Sequence, residues 1–200
     1  MGEGTATAKQ RFVEAIKARR DPQVIDVGAF RGEFAWIAAE LGAWVLAFEP
    51  RPDLAGYVRA YAEVNGFDRV SVVEAALMDR QSTQVLKIPE AEQGLATLGN
   101  PLRFTEWTRE ITVQAYTLDD YYPPNKPDVI KIDTEGAELM ILQGGIKMLQ
   151  ECKPDLLVEY TQDNTQQFGY DVSEIDEFLR GVGYRNFELV QPWDMWVTWR

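Results

Sequence analysis

The chain has 200 residues, enough to bury one sizeable core and too few for two comfortable ones. With 46% hydrophobic and 26% charged residues its composition is that of an ordinary globular protein, and a net charge of −12 argues against a partner held by its phosphate backbone. It has no histidine, and its one cysteine is Cys152. That excludes histidine triads, histidine metal sites, cysteine zinc sites and an internal disulfide, and leaves carboxylate, lysine or tyrosine as any general base.

No apolar run is long enough to cross a bilayer, and no secretory signal pattern is present, so a cytoplasmic protein is expected. Residues 1–22 read as an N-terminal helical segment, with Phe12, Val13 and Ile16 on one side of a helix over 5–20. "QVIDVGAF" then predicts a strand ending in a glycine turn. "EFAWIAAELG" predicts a helix closed by Gly42, and "AWVLAFEP" a strand stopped by Pro50. A helix over 53–65 and a strand "RVSVVEAAL" follow. Strand and helix alternating through tight connections is the pattern of a parallel sheet covered on both faces.

The middle of the chain is less regular. "TQVLKI" and "EITVQAY" predict strands, separated by a loop over 89–109 that carries Phe104 and Trp107. A loop that long inside a compact domain is usually a lid or a binding loop. Regularity returns with the strand "DVIKID", a helix over about 136–150 and the strand "PDLLVEY". A polar loop over 160–170, a helix over 172–181 and two strands, "YRNFELV" and "MWVTW", complete the chain; their short join makes them an antiparallel hairpin. The expectation is one α/β domain over 1–200: doubly wound and Rossmann-like, with a mostly parallel sheet and a C-terminal hairpin.

"VIDVGAFRG" places Asp26, Gly28 and Gly32 across the first strand-to-helix turn, with Ala29 between them, and Glu49 lies 23 residues beyond Asp26 with Pro50 after it. A glycine turn opening a helix, then an acid about 20 residues on, is how doubly wound folds grip a ribose. One carboxylate can accept from both ribose hydroxyls. A dinucleotide would need glycines where Phe30 and Glu33 stand, and Asp26 and Glu33 would repel a pyrophosphate. S-adenosylmethionine has no phosphate and carries an ammonium and a sulfonium. On this reading Asp26 holds its amino-acid end and Glu49 its ribose, with Glu74 and Ala75 near the adenine.

The stretch "DVIKIDTEGAEL" spends a lysine and three carboxylates at the end of an apolar strand. A mid-strand lysine in a covered sheet must be paired, because an isolated buried ammonium is strongly disfavoured. Asp133 emerges at the sheet edge where ligands of such folds bind, beside Asp26, Gly28 and Glu49, and Glu159 joins it from "LLVE". Acids in a first helical turn also satisfy the helix dipole, the plain alternative for Glu135 and Glu138.

In the order "VIDVGAFRG", "AFEPRP", "VEAALMD", "TLDDY", "VIKIDTEGAEL" and "LLVEY", these segments resemble the FkbM-type S-adenosylmethionine-dependent methyltransferases from about Val24 to Tyr160. The resemblance implies a class I methyltransferase fold, a seven-stranded sheet with its last strand antiparallel. It also implies transfer to hydroxyl oxygens of sugars, polyketides or other small metabolites. Two positions depart from it: the family usually has Asn where Phe30 stands, and many members have His where Tyr160 stands. The expected catalytic residues are Lys131, Asp133 and Glu135, with a carboxylate as base. Trp107, Glu138, Glu159 and Tyr160 are expected at a small-molecule or glycan acceptor, with no nucleic acid involved. The alternatives are magnesium or calcium held by Asp133, Glu135 or Glu159, and a module that binds the donor without transferring.

Overall fold

The structure, a computed structural model, describes residues 7–89, 93–100, 109–121, 126–191 and 193–200. Helix α1 (Ala8–Lys17) starts on a capping box: Thr7 Oγ1 accepts from Gln10 N, and Gln10 Oε1 accepts from Thr7 N. Phe12 and Ile16 bury its apolar side. Strand β1 (Gln23–Val27), helix α2 (Glu33–Glu40), strand β2 (Trp44–Phe48), helix α3 (Pro52–Val64) and strand β3 (Val70–Val73) follow as their periodicities predict. Pro52 sits at the first turn of α3, where its missing N–H has no partner to lose.

The predicted strand over 69–77 is two. The chain leaves the main sheet after Val73, and β4 (Ala76–Leu77) joins β5 (Ser82–Ile88) and β6 (Arg109–Tyr116) in a separate three-stranded sheet of order β4-β6-β5. The apolar run is continuous although its halves serve different sheets: β3 is a half-buried edge strand of the main sheet, and β4 is buried in the small one.

Strand β7 (Val129–Ile132) is buried at all four positions. The predicted helix over 136–150 is also two, α4 (Glu138–Gln143) and α5 (Ile146–Cys152), broken at Gly144-Gly145. A side chain at Gly144 would overlap the Met78 carbonyl, and one at Gly145 would strike Leu118. The turn that follows β6 fills the notch: Asp119 N donates to Gly144 O, and the Asp119 carboxylate accepts from Lys147 N and Met148 N at the start of α5.

Strand β8 (Asp155–Glu159) leads to the polar segment 160–170, which holds a short helix α6 (Gln162–Thr165) and a 3-10 turn. Helix α7 (Ser173–Val182) and the hairpin of β9 (Asn186–Gln191) and β10 (Asp194–Thr198) end the fold. The main sheet has seven strands in the order β3-β2-β1-β7-β8-β10-β9, and only β10 runs antiparallel to its neighbours. One layer of core lies under α1 and α2, around Phe12, Val24, Val129 and Leu157. The other joins α4, α5 and α7 to the small sheet, around Leu118, Ile130, Leu142 and Tyr184. Among the described residues no helix is long and apolar enough to cross a membrane.

Candidate functional site

The sheet order reverses at the centre, with β2 on one side of β1 and β7 on the other. Loops leaving the carboxyl ends of such strands diverge and open a crevice. Here the crevice encloses about 810 Å³, counting the space open to solvent at its mouth. Gly28, Phe30, Glu49, Pro50, Ala75, Asp133 and Glu135 all line it. Phe48, Leu54 and Leu77 supply apolar wall, joined by Leu86 from the small sheet and by Ala96 and Leu98 from the strap of residues 93–100.

At one end stands Glu49. Its Oε2 accepts from Phe30 N at 2.7 Å and its Oε1 from Arg51 N at 2.9 Å. Burial pushes its carboxyl up to about 7, against the opposing pull of those two N–H groups. Each oxygen keeps a lone pair for a further donor.

The glycine turn joins this end to the other. Gly28 has φ +76, and a side chain there would overlap the Asp133 carbonyl, so the turn closes directly onto the end of β7. Beneath it lies Lys131, whose Nζ donates to Gly28 O at 2.7 Å and stands 3.2 Å from Asp26 and 3.5 Å from Asp133. Asp26 and Lys131 are register partners on adjacent parallel strands, which is why they meet. Asp26 Oδ2 also accepts from Ala35 N in the first turn of α2. Burial pulls the Lys131 ammonium down, but the Asp26 and Asp133 carboxylates outweigh it, and the group is held above its ordinary range.

Asp26 is fully buried and Lys131 nearly so, and neither lines the crevice. Asp26 holds the first turn of α2 through Ala35 N, and Lys131 braces the glycine turn and Asp133.

The far end is a corner of carboxylates. Glu159 Oε2 accepts from Glu135 N at 3.1 Å and its Oε1 from Asn164 Nδ2 at 2.7 Å, while Asn164 Nδ2 also reaches Glu135 Oε2 at 2.8 Å. Asp133, Glu135 and Glu159 can each bring one oxygen within 4.8 Å of the others. Burial, then the charges of Glu138, Asp133 and Glu135, hold the Glu159 carboxyl well above its ordinary range. Burial and Asp133 push Asp194, opposite Glu159 across the β8–β10 pair, up to about 6.

Phe30 (φ +51) and Glu135 (φ +57) are left-handed residues with full side chains, an arrangement that costs about 1–2 kcal/mol each. Glu135 is pinned there from three sides: its N–H on Glu159, its carboxylate on Asn164, and its carbonyl accepting from Thr97 Oγ1 at 3.0 Å. Thr97, buried in the strap, also bridges Lys87 of β5 through both backbone groups.

Other expected residues lie elsewhere. Glu138 is 1% exposed, and its Oε1 accepts from Thr134 N, Thr134 Oγ1 and Gly136 N, so it braces the loop ahead of α4. Tyr160 turns toward α7, where burial and the charge of Asp176 push its hydroxyl up to about 12. Glu74 points outward to Arg59, and Ala29 is buried under the turn with its N–H on Phe48 O. Gly32 caps the start of α2. Trp107 and Phe104 lie outside the described residues. Arg51, Thr97, Asn164 and Asp194 belong to the site or its supports and were not expected. Only "TQDNT", inside a segment expected to flank an acceptor, gave a signal for one of them.

Residues 26–186 match the model of the methyltransferase FkbM domain family. No curated protein matches the chain. Among solved structures, a methyltransferase FkbM from Methylobacillus flagellatus superposes with TM-score 0.61 at 18% identity, over 88% of this chain and 43% of that one, so this chain spans less than half of it. An rRNA methylase from Streptococcus thermophilus gives 0.57 at 12% identity, over 94% of each chain. A Streptococcus mutans protein described as a methyltransferase, in complex with SAH, gives 0.59 at 9% identity over 99% of each. Identities this low speak for the fold, which hosts RNA-directed enzymes as well as others.

Proposed function

The chain belongs to the methyltransferase FkbM family, and from that premise we propose that it moves a methyl group from S-adenosylmethionine to a hydroxyl oxygen of a sugar or other small metabolite. The observation that carries this reading is the crevice itself, with a lone carboxylate, Glu49, at one end and a carboxylate corner at the other. The residues present suit such a donor. Glu49 keeps lone pairs for two ribose hydroxyls, and Phe48, Leu54, Ala75 and Leu77 offer an apolar slot for a base. Phe30 and the acids around the turn disfavour a pyrophosphate.

When bound, the donor supplies a methyl carbon on a sulfonium, a good leaving group. The chain's part is to align the acceptor oxygen with that carbon and to take the hydroxyl proton. As the oxygen–carbon bond forms, the carbon–sulfur bond breaks with its electron pair going to sulfur, and the proton passes to a carboxylate. Asp133 is the favoured base: it lines the crevice at a strand end and is braced by Lys131. Glu135, locked by Asn164 and Glu159, would hold the acceptor hydroxyl in line. A corner of Asp133, Glu135, Glu159 and Asp194 repels phosphates, which supports a small uncharged acceptor over RNA.

Calorimetry and turnover test both ends together. Glu49→Ala is expected to weaken donor binding by about 1.5–3 kcal/mol. Asp133→Asn or Glu135→Gln should lower turnover roughly 10²–10⁴-fold with donor binding intact. Full turnover in both corner variants would remove the carboxylate base. The spacing of Asp133, Glu135 and Glu159 also favours a second reading, a magnesium or calcium ion in the corner. Transfer abolished by a chelator and restored by magnesium would establish it.

A further inference from the structure

We infer that the Phe30 ring forms a cation-recognising wall of the donor site, one that favours the sulfonium donor over its neutral thioether product. This rests on reading the crevice as the S-adenosylmethionine site.

The first argument is conformational. Residue 30 must be left-handed, because its N–H is committed to Glu49 Oε2 while the chain turns back toward Gly32. Asn or Gly meets that requirement with less strain. A phenylalanine there is strained unless its ring contributes something of its own.

The second argument is position. Phe30 lines the crevice on the turn that links Glu49 to Asp133. A donor whose ribose is at Glu49 and whose methyl faces Asp133 must carry its sulfonium past this turn. The strap closes on the same ring: a side chain added at Gly94 would lie 3.8 Å from Phe30 Cζ.

The third argument is chemical. A sulfonium has no N–H or O–H with which to hydrogen-bond, so charge, oxygen dipoles or an aromatic face must recognise it. This ring already draws a cation, the Arg31 guanidinium, 5.2 Å from its centroid. The thioether left after transfer is neutral and gains nothing from the ring's quadrupole. Preference for the donor would then shed the product.

Isothermal titration of the full chain with S-adenosylmethionine and S-adenosylhomocysteine separates the outcomes. Phe30→Leu keeps apolar bulk and loses the quadrupole; Phe30→Asn relieves the left-handed strain. Both variants should bind S-adenosylmethionine about three- to tenfold more weakly, with S-adenosylhomocysteine affinity unchanged. A thermal midpoint of Phe30→Asn at or above that of the parent would show that the loss is not misfolding. An equal loss for both ligands in Phe30→Leu, or no loss, overturns the inference and leaves the donor site standing. A parent protein that binds neither ligand overturns the donor site, and the inference with it.

Discussion

The two ends of the crevice use the same side-chain chemistry under opposite conditions. At the Glu49 end one carboxylate stands alone in an apolar wall, each oxygen held by a backbone N–H. At the Asp133 end several carboxylates crowd one another beside a single buried ammonium. Both arrangements raise a carboxyl's proton affinity, the first through burial, the second through burial compounded by like charges. The lesson is that a lone buried acid answers to its ligand, whereas a crowded acid answers to its neighbours.

The largest effect should come from removing Lys131, the buried cation beneath the glycine turn. Lys131→Met leaves Asp26 buried without its partner, and urea denaturation should show a loss of about 3–5 kcal/mol. A loss below about 1 kcal/mol would mean that Asp26 takes a proton at little expense, and that the contrast between the two ends is overdrawn.

The next test is pH. The Glu49 carboxyl is raised from 4.5 to about 7, so the folded state holds its proton more tightly than the unfolded chain. The stability this contributes is complete below pH 4.5 and is lost as pH rises through about 7, amounting to at most about 3 kcal/mol. Glu49→Gln should flatten that slope. Donor affinity should run the other way, tightening as pH rises through about 7 in the parent protein, because the ionised carboxylate accepts from both ribose hydroxyls. An affinity that ignored pH in this window would undo the picture of a lone acid set by its ligand.

The smallest effect probes how firmly the crowded end is held. Thr97→Val removes the hydroxyl on the Glu135 carbonyl and leaves Gly99 N without its acceptor. Thermal unfolding should register a loss of about 1 kcal/mol, restored by Thr97→Ser. If the serine variant stayed as unstable as the valine one, the methyl packing of Thr97 would matter more than its bond to Glu135.

Much of the fold was legible because periodicity and turn chemistry are local. β1, β2, β7 and β8 announce themselves as apolar runs, and the tight join at Pro192 and Trp193 fixes the final hairpin. The Gly28 turn and Glu49 were legible for the same reason, being a short motif and a fixed offset. What escaped depends on register between distant segments. Asp26 meets Lys131, more than a hundred residues away, only because their strands align. That pairing buries Asp26 beneath the turn, where it also holds the first turn of α2. Asp194 reaches the corner by facing Glu159 across β8 and β10, and Thr97 is a single polar residue in a loop with nothing local to mark it. The break between β3 and β4 was hidden because burial does not say which sheet a residue is buried against.

The notch at Gly144-Gly145 has a consequence for how the molecule opens. Through it, Asp119 holds both the end of α4 and the start of α5, while Met78 N is bonded to Tyr116 O at the close of β6. Among the described residues these bonds tie the end of the small sheet to the α4–α5 pair, so the two are expected to open together. That unit carries Leu77 and Leu86 of the crevice wall and the helix that follows Glu135. A molecule bound against the wall is therefore expected to slow amide exchange in α4 and α5, beyond its own contacts.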